Sequence, residues 1–308
     1  ISPVPAATKA ASENYAFYNY PNQPTPHKEG TLSLPTAIGR VLDDGTTQLS
    51  RATYNNIGKP LTVTDPVGRM KQLTYAANGV DPLSVQQQTS ATPTFATLGT
   101  YGSYNTQHQP QTYTDAAGQV WQYTYNAAGQ LLTAKNPLLQ TTTYTYDTKG
   151  RLSTVKNAAN VVVLTMNYLA NCETVNPNKQ NCDLPVSVKD TSATSASEPN
   201  GRTVSYTYDA LDRVTKITYP DATFDAYDYK FQSGPLVGTQ SLDLRKVTDR
   251  QGRVTTYGYD ANRQLTSVTE PVVGATTRTT QYQYYENGTL KNLIDANGNI
   301  THWEIDIQ

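Results

Sequence analysis

The chain has 308 residues, with 24 Lys plus Arg against 25 Asp plus Glu. That balance leaves no basic excess to draw in nucleic acid or an anionic membrane. No apolar run approaches the roughly 18 residues needed to span a bilayer. No signal-type segment is seen, and the chain reads as part of a longer one. Tyrosine dominates the aromatics, with 23 Tyr against 4 Phe and 2 Trp. Tyrosine suits a wall that is packed on one side and wet on the other, because its ring packs while its hydroxyl reaches a polar partner.

In chain order, residues 1–50 are expected to be an extended, irregular lead-in containing the first strands, with five prolines up to Pro26. From residue 51 to 308 a repeat takes over. It is marked by Tyr54, Tyr75, Tyr125, Tyr146, Tyr208, Tyr259 and Tyr284, with a degenerate copy at Tyr104. Several copies are 21 residues apart: Tyr54 to Tyr75, Tyr104 to Tyr125, and Tyr125 to Tyr146. After each tyrosine comes a short turn, often opening with Asp or Asn. A second turn lies between copies, as in Asp65–Gly68, Asp115–Gly118, Asp249–Gly252 and Asp295–Gly298. Turns every ten or eleven residues are the spacing of an antiparallel meander.

The turn chemistry is uniform. Asp or Asn at the first position can accept a hydrogen bond from the backbone two residues on. Gly at the fourth position supplies positive φ after a type I turn, closing a hairpin with a bulge. Gly58, Gly68, Gly118, Gly129, Gly150, Gly252, Gly288 and Gly298 are expected to do this. His108, Asp212 and Arg263 stand where other copies have Gly.

Before the turn, residues alternate. Trp121, Tyr123 and Tyr125 share one face, as do Val204, Tyr206 and Tyr208, and Thr255, Tyr257 and Tyr259. After it, apolar residues fall three apart: Leu152 and Val155, Val214 and Ile217, Leu265 and Val268, Leu290 and Leu293. Three does not fit one face of a straight strand, so a bulge or two-sided burial is expected. Insertions interrupt the period near 80–102, 170–201 and 230–245. The first two are polar and are read as loops.

Tyr146-Asp147-Thr148-Lys149-Gly150-Arg151-Leu152 resembles the signature of the YD-repeat, or RHS-repeat, family. Degenerate copies from about Tyr54 to Ile300 extend the resemblance over roughly four-fifths of the chain. The family includes RHS polymorphic toxins, shell components of Tc toxins, wall-associated bacterial proteins and teneurins. The resemblance implies an all-β fold: antiparallel hairpins in a spiralling single-layer sheet, part of a hollow shell. It implies a non-enzymatic scaffold, extracellular or on a bacterial cell surface, that encloses or presents another polypeptide such as a toxin. The repeats run to the C-terminal end, so any cargo is expected outside these residues. Partners would be further YD repeats of the same longer chain or of another copy, because open sheet edges pair. An adhesin or filament module binding glycans is the second reading, and a glycoside hydrolase a distant third.

No cofactor, metal or catalytic group is expected. His27, His108 and His302 lie far from other ligands in sequence. Asp221, Asp225 and Asp228 are the sole hydrolase candidates, but Asp225 and Asp228 are three apart on a strand and should point to opposite faces. Cys172 and Cys182 flank a short polar loop and are read as a disulfide that pins it. The repeat tyrosines are expected to stack on one another across neighbouring hairpins.

Overall fold

A computed structural model describes residues 4–10, 13–25, 28, 30–90, 94–169, 182–191, 201–232, 234–272 and 276–304. Among these residues there are 24 strands and no helix, so the chain is all-β. It divides into two compact units, residues 1–144 with 157–160, and residues 145–156 with 161–308. The division falls inside the strand Thr141–Tyr146.

Within each unit successive strands pair antiparallel with their sequence neighbours. In the first, Thr47–Tyr54 pairs with Pro60–Thr64, which pairs with Met70–Tyr75, which pairs with Pro82–Gln88. In the second, Arg202–Tyr208 pairs with Val214–Thr218 and that with Phe224–Asp228. Only Ala16, Tyr20, Asp81, Gly99, Cys182 and Ser241 are buried among the described residues. Burial is therefore shallow and spread along the sheet rather than collected in a core. Cross-strand pairs must carry much of the stability, each contributing roughly 0.2–1 kcal/mol.

The spacing puzzle resolves as a bulge. Tyr206 faces Ile217 and Tyr208 faces Val214, with a register shift between Thr207 and Tyr208. The same shift sits before Tyr54, Tyr75, Tyr125, Tyr259 and Tyr284. One extra residue in the outgoing strand lets apolar residues three apart meet tyrosines two apart. On the other face hydroxyls pair across the strands, as in Thr53 with Thr62 (2.7 Å) and Thr124 with Thr133 (2.6 Å).

One expectation needs correction. The stretch near 80–102 is not a loop: it forms the strands Pro82–Gln88 and Phe95–Tyr104. Its Gln- and Thr-rich composition hid a ladder whose amide and hydroxyl groups bond along the strands, as when Gln87 Nε2 donates to the Met70 carbonyl (3.0 Å). Much of 170–201 lies outside the described residues, though Pro185–Asp190 within it is a strand.

Candidate functional site: a tyrosine-clamped repeat edge

The repeat turn is held by its first residue. The Gly58 N–H donates to the Asn55 carbonyl (3.0 Å), and the Asn55 N–H donates to the Lys59 carbonyl (2.8 Å). Asn55 Oδ1 accepts from the Ile57 and Lys59 N–H groups (3.2 and 2.9 Å). The side chain therefore bonds two residues on and also four residues on, across the bulge. Where Arg holds the fifth position it adds a third link. Arg151 Nε donates to Asp147 Oδ2 (2.7 Å), and Arg213 Nε and Nη2 donate to Asp209 Oδ2 (2.8 and 2.6 Å). Burial alone would push the Asp209 carboxyl up, but the Arg213 and backbone donors together hold it below the usual range.

Gly58, Gly68, Gly118, Gly129, Gly150, Gly252, Gly288 and Gly298 all take positive φ, between 77° and 87°. His108, Asp212 and Arg263 adopt φ of 62°, 61° and 65°. Leu139, Asn160 and Ala222 do the same at 61°, 61° and 63°, in turns whose sequences gave no glycine to signal it.

The repeat tyrosines do something stacking would not. The strands Pro60–Thr64 and Met70–Tyr75 are joined by the turn at Asp65–Gly68. Their other ends are open, and there the Tyr75 hydroxyl donates to the Pro60 carbonyl (3.0 Å). The same closure is made by Tyr20 to Pro5, Tyr54 to Pro35, Tyr104 to Pro82, Tyr125 to Pro110, Tyr168 to Leu152, Tyr208 to Pro185 and Tyr284 to Leu265. The pairs closed by Tyr54, Tyr75, Tyr125 and Tyr168, whose connections lie among the described residues, are thus shut by a turn at one end and by a phenol at the other. Proline suits the acceptor position because it opens its strand beside the bulge, where no ladder N–H is required. Burial raises the phenol pKa of Tyr75, Tyr125, Tyr208 and Tyr284. Tyr104 is pushed up to about 12 by burial, reinforced by the Asp81 charge and by Tyr101.

The expected tyrosine ladder is corrected accordingly. Ring pairs do form at Tyr101–Tyr113 (5.1 Å), Tyr113–Trp121 (5.5 Å) and Tyr206–Tyr208 (6.4 Å), and these three do not join repeat tyrosines of neighbouring hairpins. Tyr146 ends its strand as expected. Tyr259 departs from the clamp: the Arg245 guanidinium lies 4.9 Å from its ring and 4.4 Å from Phe231. At the equivalent open end formed by Val214–Thr218 and Phe224–Asp228, Arg213 lies 3.8 Å over Tyr229. Nothing in the hydrophobic pattern signals these Arg–aromatic stacks. The prolines two places after the turn, as in Gly58-Lys59-Pro60, could have signalled the clamp.

The hydrolase candidates are not brought together. Asp221 Oδ2 accepts from Arg250 Nη2 (2.6 Å), Asp225 Oδ2 accepts from the Tyr219 hydroxyl (2.7 Å), and Asp228 Oδ1 accepts from the Lys230 N–H (2.9 Å). Each has a separate structural partner. His108 Nδ1 lies 2.9 Å from Asp81 Oδ1, and His302 Nδ1 lies 2.6 Å from Asn292 Oδ1. No group of three or more metal-capable side chains occurs among the described residues. His27 and Cys172 lie outside the described residues, so the disulfide reading does too; Cys182 is buried.

The fold and its clamped edge define a scaffold of antiparallel hairpin repeats. The family model described as RHS Repeat matches residues 104–138, 193–223 and 241–272 of this chain. Among solved structures, the fold is similar to TcdB2-TccC3 without its hypervariable C-terminal region, with a TM-score of 0.51 and 16% identity. That match covers 92% of this chain and 16% of the other. It is likewise similar to the Photorhabdus luminescens Tc holotoxin pore carrying a TccC3 substitution, with a TM-score of 0.50 and 16% identity, over 92% of this chain and 15% of that one. The chain spans about a sixth of the length of these structures, and the likeness is one of fold. No curated protein matches it in sequence.

Proposed function

We propose that this chain is a stretch of wall in an RHS shell that encloses or presents another polypeptide, such as a secreted toxin, outside the cell or at its surface. The repeated clamp carries this reading. A sheet with almost no buried core must be held along its own length, and a phenol across the open end does that at eight strand pairs. Such a unit extends by adding copies, because each needs only its neighbours. No residue acts chemically; the mechanism is enclosure. The likeness to Tc toxin structures supports the same reading. Ile300–His302 is paired on one side only among the described residues, which suits continuation into further repeats of the same longer chain or another copy.

The test is native purification of the full-length product, followed by denaturing electrophoresis and intact mass. A separate polypeptide that stays bound until denaturation supports enclosure. A single uncut chain with no retained polypeptide, or a ladder of self-assembled copies, removes the cargo reading and favours an adhesin or filament.

A further inference from the structure

The arginine just before the strand Lys246–Thr248 is left with unused donors. The Arg245 N–H donates to the Asp228 carbonyl (2.8 Å), and the Tyr257 N–H donates to the Arg245 carbonyl (2.9 Å), so its backbone is paired on both sides. Its guanidinium lies 4.9 Å from the Tyr259 ring centre and 4.4 Å from that of Phe231, which comes from the insertion. Only 12% of the side chain is exposed. Nε donates to Ser241 Oγ (3.1 Å). Nη1 and Nη2 have no acceptor within hydrogen-bond distance among the described residues; Asp243 Oδ2 stands 4.0 Å from Nη2. A guanidinium so little exposed, with its terminal N–H groups unpaired, is costly unless an acceptor comes to it.

Arg245 borders an open hollow of about 450 Å3, lined by Phe231, Asp243, Tyr259, Asp260 and Arg263 among others. That volume falls in the range of ligand pockets, roughly 300–1,000 Å3. Both carboxylates on its wall are engaged. Asp243 Oδ1 accepts from Arg263 Nε and Nη2 (3.1 and 2.8 Å). Asp260 Oδ1 accepts from the Asn262 and Gln264 N–H groups of its own turn (both 2.9 Å). Arg263 is thus spent on Asp243, and Arg245 is the cation with donors to offer. The wall is also braced before any ligand arrives. Arg213 Nη1 donates to the Ser241 and Leu242 carbonyls (2.8 and 3.0 Å), and the Phe231 N–H donates to the Thr239 carbonyl (3.0 Å). A site held in this way loses little freedom on binding.

We propose that this hollow binds a single carboxylate, held end-on by Nη1 and Nη2 of Arg245. Nε is taken by Ser241, so the terminal nitrogens are the pair that remains. A planar carboxylate matches that fork with two parallel hydrogen bonds. A phosphate dianion fits worse, because Asp243 and Asp260 put two negative charges beside it. The carboxylate belongs to a free small acid or to an acidic side chain of a polypeptide. The site is independent of whether the chain encloses a cargo.

The full-length product is titrated with acetate, with an acetylated and amidated Gly-Gly-Glu-Gly-Gly peptide, with the same peptide carrying Gln for Glu, and with inorganic phosphate, and binding is followed by saturation-transfer NMR or, for phosphate, by competition. Either carboxylate should bind, with the Gln peptide and phosphate weaker by about tenfold or more. Acetate binding as well as the Glu peptide marks a free acid as the ligand; a tighter Glu peptide marks an acidic side chain. Arg245→Gln should abolish binding. Arg245→Lys keeps the charge without the fork and should weaken the carboxylate by about tenfold; it is read if the Gln variant does not fold. Asp243→Asn removes a repelling charge and frees Arg263, so phosphate should bind tighter by about tenfold or more. No carboxylate binding to the unaltered protein overturns the proposal. So does phosphate or the Gln peptide binding as tightly as the Glu peptide, wild-type affinity in a folded Arg245 variant, or an unchanged phosphate affinity in Asp243→Asn.

Discussion

The Tyr75 hydroxyl donates to the Pro60 carbonyl at 3.0 Å, at the open end of a strand pair whose turn lies at the far end. If this bond is the clamp that makes a thin sheet self-supporting, its loss should cost the ordinary worth of a hydrogen bond. Tyr75→Phe, Tyr125→Phe and Tyr208→Phe should each lower stability by about 0.5–1.5 kcal/mol, and the losses should add. Tyr282→Phe is the control, because its hydroxyl makes no hydrogen bond among the described residues. Thermal melts of the four variants decide it: equal, near-zero shifts in all would remove the clamp.

The turn geometry makes a pair of predictions with opposite signs. Gly150 has φ 81°, so Gly150→Val should destabilise by about 1–3 kcal/mol. Leu139 has φ 61° and is exposed, so Leu139→Gly should stabilise by about 0.5–1 kcal/mol. An unchanged melting temperature for both would contradict the assigned turns.

Stability should fall at both ends of the pH scale. The turn carboxylates Asp209 and Asp295 are held below the ordinary range in the folded chain, Asp209 against its burial by Arg213 and backbone donors, Asp295 chiefly by Asn299. The unfolded chain binds more protons there, so this stabilisation is present above about pH 4 and is lost as pH falls through the lowered values. Asp209→Asn should flatten the acid limb. Tyr104 works the other way, its pKa raised from 10.0 to about 12 by burial, by Asp81 and by Tyr101. Its contribution is complete below pH 10 and is lost between there and about pH 12. Absorbance titration of tyrosinate alongside far-ultraviolet melts tests this; a Tyr104→Phe protein with the same alkaline limb would contradict it.

We expect Cys172 and Cys182 to be joined. Thiol titration of the denatured, unreduced protein should then find no free thiol at either position, and reduction should cost about 2–3 kcal/mol of stability. Two titratable thiols would contradict the pairing.

Much of this was legible in the sequence, because turn chemistry is local. Asn55 and Gly58 must lie together in any hairpin, and residues three apart after the turn already narrowed the choice to a bulge or two-sided burial. The left-handed backbone of His108 and Asp212 followed from position in the repeat, whereas at Arg263 a turn shifted onto Asn262 was equally open. What stayed hidden depends on which atom of a side chain finds a partner. A tyrosine whose ring stacks and one whose hydroxyl reaches Pro110 follow the same period-two pattern. The Arg213–Tyr229 and Arg245–Tyr259 stacks join residues 14 to 16 apart, beyond any local rule. Gln-rich strands such as Pro82–Gln88 fail hydrophobic criteria because polar groups find partners along the ladder.

The central claim is that these repeats form the wall of a container. Electron microscopy of the natively purified full-length product tests it most directly. The account predicts closed, hollow particles with density inside that is absent from a version truncated after the last repeat. Open fibres, or hollow particles with the same interior in both versions, would contradict it.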